Sequence, residues 1–350
     1  MRSQTMKKLS IAIAALAATG LTACGSQDGA SGDSRNAIHA VGSSTVYPFA
    51  TRISEIFSRE HPDFPAANIE SIGTGGGFSA FCSGVGYDTP DFAQASRRIK
   101  PGEFETCQEN GVTEIVEIQV GMDGIAFASA QGGIDMNLTP EIVYRAIAAN
   151  PYGEEQTNET WSDIDPSLPD LPILVYGPPS TSGTRDALAE LILEVGCEAG
   201  PLPEGLEEDE QDRICTEVRS DGAYVDQGEQ DNLIVSKIET NPNAVGVFGY
   251  SYLEANSDRV QGLPMNGVEP TYDNISSFDY PGARPLYIYL KKEHVGVIPG
   301  IEEFLATWVA NWGEDGPLAE IGLVTNRGEV REAMTAATTE FPVLTAEDLQ

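Results

Sequence analysis

The sequence predicts an α/β protein built as two lobes, and three observations carry that prediction. At 350 residues the chain exceeds one typical hydrophobic core. From residue 37 onward, short apolar runs alternate with segments of helical periodicity, the pattern of largely parallel sheets faced by helices. At four places a strand-like run enters a helical one through a turn rich in Gly, Ser, Thr or Arg. Strands are expected at 37–41, 68–72, 91–95, 114–120, 124–130, 173–176, 245–248 and 286–290. Helices are expected near 47–60, 77–84, 139–149, 182–195, 229–240, 298–312 and 330–338.

The elements follow in order. "AIHAV" is a short buried strand, and Phe49, Ile53, Ile56 and Phe57 then recur at helical spacing. Pro48 falls in the first turn of that helix, where its missing N–H is harmless. "IGTGGGFSAF" and "DFAQASRRIK" each end a strand in a turn. "YGPPSTSGTRDAL" runs through two prolines into a helix carrying Leu188, Leu191 and Ile192. The clearest helix is 298–312, with Ile301, Phe304, Leu305, Trp308 and Trp312 on one face. Segments 151–172 and 198–213, rich in Pro, Gly and Asp, read as surface insertions. The sequence holds no internal repeat and no heptads.

The N-terminus reads as an export signal. Arg2, Lys7 and Lys8 precede "LSIAIAALAATGL", too short to span a bilayer but right for a signal peptide over 1–23. It ends in "LTAC", which resembles a bacterial lipobox and makes Cys24 the expected lipidation site. Residues 24–36 are then a lipidated flexible linker, whose twelve polar residues would span ~20 Å as a coil. Four cysteines remain, Cys82, Cys107, Cys197 and Cys215. Oxidising surroundings point to two disulfides. Three connectivities are open, and nearest-neighbour pairing, Cys82–Cys107 with Cys197–Cys215, is preferred. A metal site is disfavoured, since no C-x-x-C occurs and the histidines are only His39, His61 and His294.

The net charge is −34, and −37 once the three basic signal residues are removed. Such a surface repels nucleic acid and anionic lipid, which excludes a basic groove as the working site. Six lysines against fourteen arginines, in so acidic a chain, match the balance of salt-adapted proteins.

The four turns supply donors and almost no acceptors, which suits a small oxyanion. Helix N-termini add unpaired N–H groups and about half a positive charge. Ser and Thr hydroxyls add donors, glycines admit close backbone approach, and Arg97 and Arg185 offer forked charged donors. An ordinary N-cap is the bland alternative for any one turn. "GGGFSA" fits a loose dinucleotide fingerprint, but no βαβ unit with a ribose-binding acid follows it. There is no phosphate-binding loop ending in GK[ST] and no G-x-S-x-G elbow. Arg98 and Lys100 are read as solvated.

"GSSTVYP", "GTGGGF", "DFAQASR" and "SGTRDAL", in that order, resemble the phosphate-binding lipoproteins that feed ABC-type phosphate importers. "DGIAFA", "LTPEIVYRAI", "NPNAVGVFGYSYL" and "YPGARPLYIYL" fit the same family, and the resemblance runs from about residue 37 to 325. It implies a two-lobed periplasmic-binding-protein fold of the crossover kind, with two hinge crossovers and the ligand in the interlobe cleft. Lobe I would be 37–120 plus 275–350 and lobe II 121–274, with "EIQVGMDGIA" and "PTYDNISSFDYPGARP" as hinge regions. By resemblance, the Ser44 and Thr45 hydroxyls and the Val46 N–H grip phosphate from lobe I, with Thr74, Gly75 and Gly76 beside them. Ser182, Gly183 and Thr184 would grip from lobe II. Two departures stand out. Arg97 replaces a common aspartate that accepts the phosphate proton, and Pro178 replaces a common arginine. The arginine is then expected at Arg97, with Arg185 the second candidate, and the proton acceptor among Asp123, Asp186, Asp221 and Asp226.

The resemblance implies a non-enzymatic, cofactor-free, monomeric receptor that is exported and held to a membrane by its lipid anchor alone. It would deliver phosphate to an ABC permease. Arsenate and sulfate are the rival ligands. A secreted phosphohydrolase or serine hydrolase using Ser44 or Ser182, and an adhesin or sensor, are the rival roles.

Overall fold

The computed structural model describes residues 35–228 and 231–349. The signal peptide, Cys24 and most of the linker lie outside the described residues. The strands are β1 (His39–Gly42), β2 (Asn68–Ser71), β3 (Phe92–Ala95), β4 (Ile115–Ala130), β5 (Val175–Gly177), β6 (Tyr224–Asp226), β7 (Val245–Gly249), β8 (Val260–Gly262) and β9 (Ala283–Lys291). They follow one hydrogen-bonded path, β2-β1-β3-β9-β4-β7-β5-β6, with β8 also on β4. Beside them run α1 (Tyr47–Glu60), α2 (Thr74–Phe81), α3 (Pro101–Glu109), α4 (Pro140–Ile147), α5 (Trp161–Ile164), α6 (Gly183–Leu188) and α7 (Glu194–Glu198). They are followed by α8 (Glu208–Thr216), α9 (Asp231–Thr240), α10 (Tyr250–Ala255), α11 (Tyr272–Ser276), α12 (Ile301–Asn311) and α13 (Gly328–Glu340).

The fold is the two-lobed α/β architecture that the sequence predicts, with one difference in its sheets. The parallel pairs, β1 with β2 and β3, and β5 with β6 and β7, sit at the flanks. At the centre β9 runs antiparallel to both β3 and β4, and β4 antiparallel to β7. Chain crossings between lobes cause this. The 16-residue β4 pairs its first part with β9, then its second part with β7 from Ile125 onward. A register shift between Gln119 and Gly121 bends the strand where it changes partner. The two expected strands 114–120 and 124–130 are therefore one.

Side-chain alternation explains how each lobe closes. On β4 and β9, Val116, Ile118, Val120, Leu286, Ile288 and Leu290 face a core completed by α1 and α12. Ile115, Tyr287 and Tyr289 point the other way, against Phe78, Phe81 and Phe104 of α2 and α3. The second lobe gathers around β4, β5 and β7, with Trp161, Tyr144 and Phe248 fully buried. Trp161 and Ile164 make part of 151–172 core rather than a surface insertion, because α5 turns them inward. The disulfides are Cys82–Cys107, tying α2 to α3, and Cys197–Cys215, tying α7 to α8.

Candidate functional site

Two turns from opposite lobes meet at the centre of the molecule. The first precedes α1, whose backbone begins turning at Ser43: the Tyr47 N–H donates to the Ser43 carbonyl at 3.0 Å. The Ser43 hydroxyl accepts from the Thr45 and Val46 N–H groups at 3.2 and 3.4 Å, so it caps the helix. The second precedes α6, where the Ser182 hydroxyl caps the helix by accepting from the Thr184 N–H at 3.2 Å. Gly183 lets the two turns approach closely at their junction. A Cβ there would lie 3.1 Å from the Thr45 Cα and 3.3 Å from its nitrogen.

Ser44, Thr45, Ser182, Gly183 and Thr184 line one cavity of about 270 Å³, with Asp123, Tyr252 and Gly322 also in its wall. Asp123 puts a carboxylate in that wall, and a charged network lies behind it. Asp123 on β4 and Arg284 on β9 are direct cross-strand partners on the two strands that cross between lobes. The buried Arg284 guanidinium donates from Nε to Asp123 Oδ2 at 3.2 Å and from Nη2 to the Thr45 hydroxyl at 2.6 Å. Its Nη1 donates to the Glu190 carboxylate, which reaches over from the second lobe. The Ser44 hydroxyl donates to the Asp186 carboxylate, on the same helical run as Glu190. That run passes from α6 through a π-helical segment, Ala189–Leu193, into α7. The wide π turn sets where Glu190 points.

The other expected site residues are placed differently. The Val46 N–H faces Ser43, within the helix cap. Thr74 shares a 3.0 Å hydroxyl contact with Ser96, binding the start of α2 to the end of β3. Gly75 borders open space, whereas Gly77 lies so close to β1 that an added Cβ would stand 2.6 Å from the Gly42 Cα. Arg97 forks onto Glu103 at 2.8 and 2.7 Å and lies over the Phe78 ring. Burial alone would raise the Glu103 carboxyl, but Arg97 and the Lys100 N–H together hold it below the usual range. Arg185 turns into the second lobe, donates to the Thr216 carbonyl at 3.1 Å and covers Tyr224. Burial there disfavours its charge. Thr74, Gly75, Gly76, Arg97 and Arg185 are thus absent from the cavity lining among the described residues. Among the proton-acceptor candidates, Asp123 lines the cavity and Asp186 holds Ser44, while Asp221 forks onto Arg219.

Arg284 is the residue the sequence reading missed. It sits in "YPGARPLYIYL", a stretch noted for its place at a hinge, and no donor-rich turn surrounds it. The available signal was an acid and a base, Asp123 and Arg284, each set in one of the two expected hinge stretches.

Comparison with known proteins then adds its findings. A family model described as a PBP superfamily domain matches residues 28–311. The chain is 29% identical over 315 residues to Protein SphX of Synechococcus elongatus, covering 88% of this chain and 82% of that one. It is 30% identical over 293 residues to the phosphate-binding protein PstS of Staphylococcus epidermidis, covering 81% and 79%. Among solved structures, a possible phosphate binding protein from Planctomyces limnophilus superposes with a TM-score of 0.70 at 26% identity, over 87% of this chain and 98% of that one. An ABC-type phosphate transport receptor from Vibrio cholerae shares the fold at a TM-score of 0.56 and 21% identity, over 82% and 99%.

Proposed function

Since the chain belongs to the PBP superfamily, we propose that it binds inorganic phosphate in its interlobe cleft, outside the cytoplasmic membrane, and delivers it to an ABC permease. The observation that carries this reading is the cavity between the turns at Ser44–Thr45 and Ser182–Thr184, with the buried Arg284 behind it, hydrogen-bonded to the Thr45 hydroxyl. Ser and Thr residues of two helix starts converge there from both lobes, with a guanidinium bound to one of their hydroxyls, a donor set suited to a tetrahedral oxyanion. The proposed ligand set is Ser44, Thr45, Ser182, Gly183, Thr184 and Arg284. The loops of Thr74–Gly76 and Arg97 would close around it as a second ring. The apolar clusters follow the proposed lobes 37–120 plus 275–350 and 121–274 except at Ile275, Tyr280 and Val324, which pack into the second-lobe cluster. Tethering through Cys24 and a monomeric state complete the proposal.

A hydrolase using Ser44 or Ser182 is disfavoured by the same geometry. The Ser44 partner is the Asp186 carboxylate, and no histidine lines the cavity among the described residues. His39 contacts Glu70, and His294 contacts Asp91 beneath the first lobe. Calorimetric titration of the purified protein with phosphate, arsenate and sulfate tests the proposal. Saturable binding of one phosphate per chain is expected, and no phosphate binding overturns it.

A further inference from the structure

Beside the cleft lies a second cavity of about 280 Å³, lined by Tyr250 and Glu254 of α10, Tyr272 of α11, and residues between Glu314 and Thr325. The two cavities are neighbours, and Ser251 lines both. The segment 319–325 is their common wall: Ile321 and Gly322 line the cleft, while Leu323, Val324 and Thr325 line the second cavity. Strand β4 fixes that wall in place. The Met122 N–H donates to the Val324 carbonyl at 2.7 Å, and the Val324 N–H to the Met122 carbonyl at 3.0 Å. Gly322 packs tightly on Ser251, since an added Cβ would stand 3.2 Å from its Oγ.

The chemistry of the second cavity is the reverse of the cleft's. Glu254 and Glu314 bring carboxylates to it, and no basic side chain lines it. Its phenol protons are already committed: Tyr250 donates to the Glu254 carboxylate at 3.1 Å and Tyr272 to the Thr325 carbonyl at 3.2 Å. Neither is then available to an anion. The local negative potential shows at Tyr250, whose phenol is pushed up by burial first and then by the charge of Glu254, with Asp273 adding to it. Nearby cations leave that potential largely in place. Arg331 stands 3.8 Å from the exposed Glu314, a weak pair, and Arg327 donates to the Ser276 hydroxyl and the Asp273 carbonyl. A metal ion fits poorly. Its ligands would have to stand about 2–2.6 Å away, and among the described residues no group of three or more His, Cys, Asp or Glu can hold one. The space and the two tyrosine rings suit a larger cation with a carbon skeleton.

We infer that this second cavity binds a small organic ammonium ion, best a diamine with one charged end for each glutamate, and that its occupancy favours anion binding across the shared wall. The cation site stands apart from the phosphate-binding reading, and only the coupling rests on it. Under the proposed lobe boundaries, Glu254 and Tyr272 belong to the second lobe, Glu314 and Thr325 to the first. A cation held between them braces the lobes together, and its charge lies a single segment of chain from the incoming anion. Both effects favour the loaded cleft. By reciprocity, bound phosphate then favours the cation to the same extent.

The test is titration calorimetry of the full chain with butane-1,4-diamine at a fixed ionic strength of about 0.15 M, beside the uncharged butane-1,4-diol. Saturable binding of one diamine per chain is expected, with no binding of the diol. Glu254→Gln and Glu314→Gln should each weaken the diamine about threefold, the scale of an exposed ion pair, and about tenfold together. Both side chains are exposed, so the variants should keep the wild-type melting temperature. A diffuse counter-ion atmosphere around a chain of net charge −34 would barely respond to the loss of two charges. Saturating diamine should tighten phosphate binding about fivefold in the wild type and not in the double variant. No saturable diamine binding, equal binding of the diol, or an unmoved diamine affinity in the double variant overturns the site. Diamine binding that leaves phosphate affinity unchanged overturns the coupling. No phosphate binding with or without diamine overturns the phosphate-binding reading, a result the diamine titration alone does not depend on.

Discussion

Arg284 carries the largest single expectation. Its three nitrogens reach Asp123, Glu190 and Thr45, so it touches both hinge strands' chemistry and both lobes. Arg97 has its fork committed to Glu103. Arg284→Ala should therefore weaken phosphate binding by about 2–3 kcal/mol, the scale of a lost charge-assisted bond. Arg97→Ala should cost less, and calorimetry on both variants checks the order; the reverse order would move the ligand's charge partner to the Arg97 turn. The two arginines also show what a sequence can disclose. The placement of Ser44, Thr45 and Ser182–Thr184 around one cavity was legible because each turn is local, a strand passing into a helix start. Arg284 was not, because its role comes from pairing with Asp123, 161 residues away in sequence. Lys291 gives a pH expectation of its own. It is fully buried, donates to the Gly84 carbonyl at 2.6 Å and the Thr89 hydroxyl at 2.7 Å, and burial pulls it down to about 8. Between about pH 8 and the usual lysine range, the unfolded chain holds the proton that the folded chain has lost. Stability contributed by this site thus rises with pH across that window. Thermal melts of wild type and Lys291→Met should diverge there, the wild type gaining; parallel curves would show the ammonium to be fully stabilised where it lies.

Among the elements, the helical run from α6 through the π segment into α7 links chemistry to stability. Its start forms one turn of the cleft, its middle carries Glu190, and its end is fastened to α8 by Cys197–Cys215. That disulfide closes a sequence separation of 18. Loop-closure entropy assigns such a bridge about 3 kcal/mol. Replacing both cysteines with alanine should lower unfolding free energy by about that amount in a denaturant titration; an unchanged midpoint would mean that packing of Ile192, Leu193 and Ile214 already fixes the pair of helices. Element prediction succeeded where periodicity was long, as in α1 and α12. It failed where tertiary pairing decided the outcome. β6 and β8 are three residues each, too short for a pattern, and exist because β5 and β4 offer them edges. β4 read as two strands because Gly121 and Gly124 interrupt its apolar run. Both are held in place by neighbours, an added Cβ meeting Leu323 at 2.6 Å and Ile275 at 3.1 Å.

The molecule as a whole poses an electrostatic question. A chain of net charge −34 is asked to capture an anion. Basic groups around the cleft do not reverse the field, since Arg97, Lys100, Arg185 and Arg284 each lie within the influence of at least one acid. Capture then depends on short-range donors, and the long-range field opposes approach. At physiological ionic strength the Debye length is about 8 Å, so most surface carboxylates are screened from the cleft. At low salt they are not, and the entering phosphate climbs a negative potential. Raising salt from a few millimolar to about 0.15 M should therefore increase the association rate or leave it flat, as for like-charged partners. Stopped-flow mixing with phosphate across that range measures this directly. A steep fall in association rate with added salt would reveal a positive steering field at the cleft mouth, against the chain's net charge of −34 and the carboxylates bound to Arg97 and Arg284.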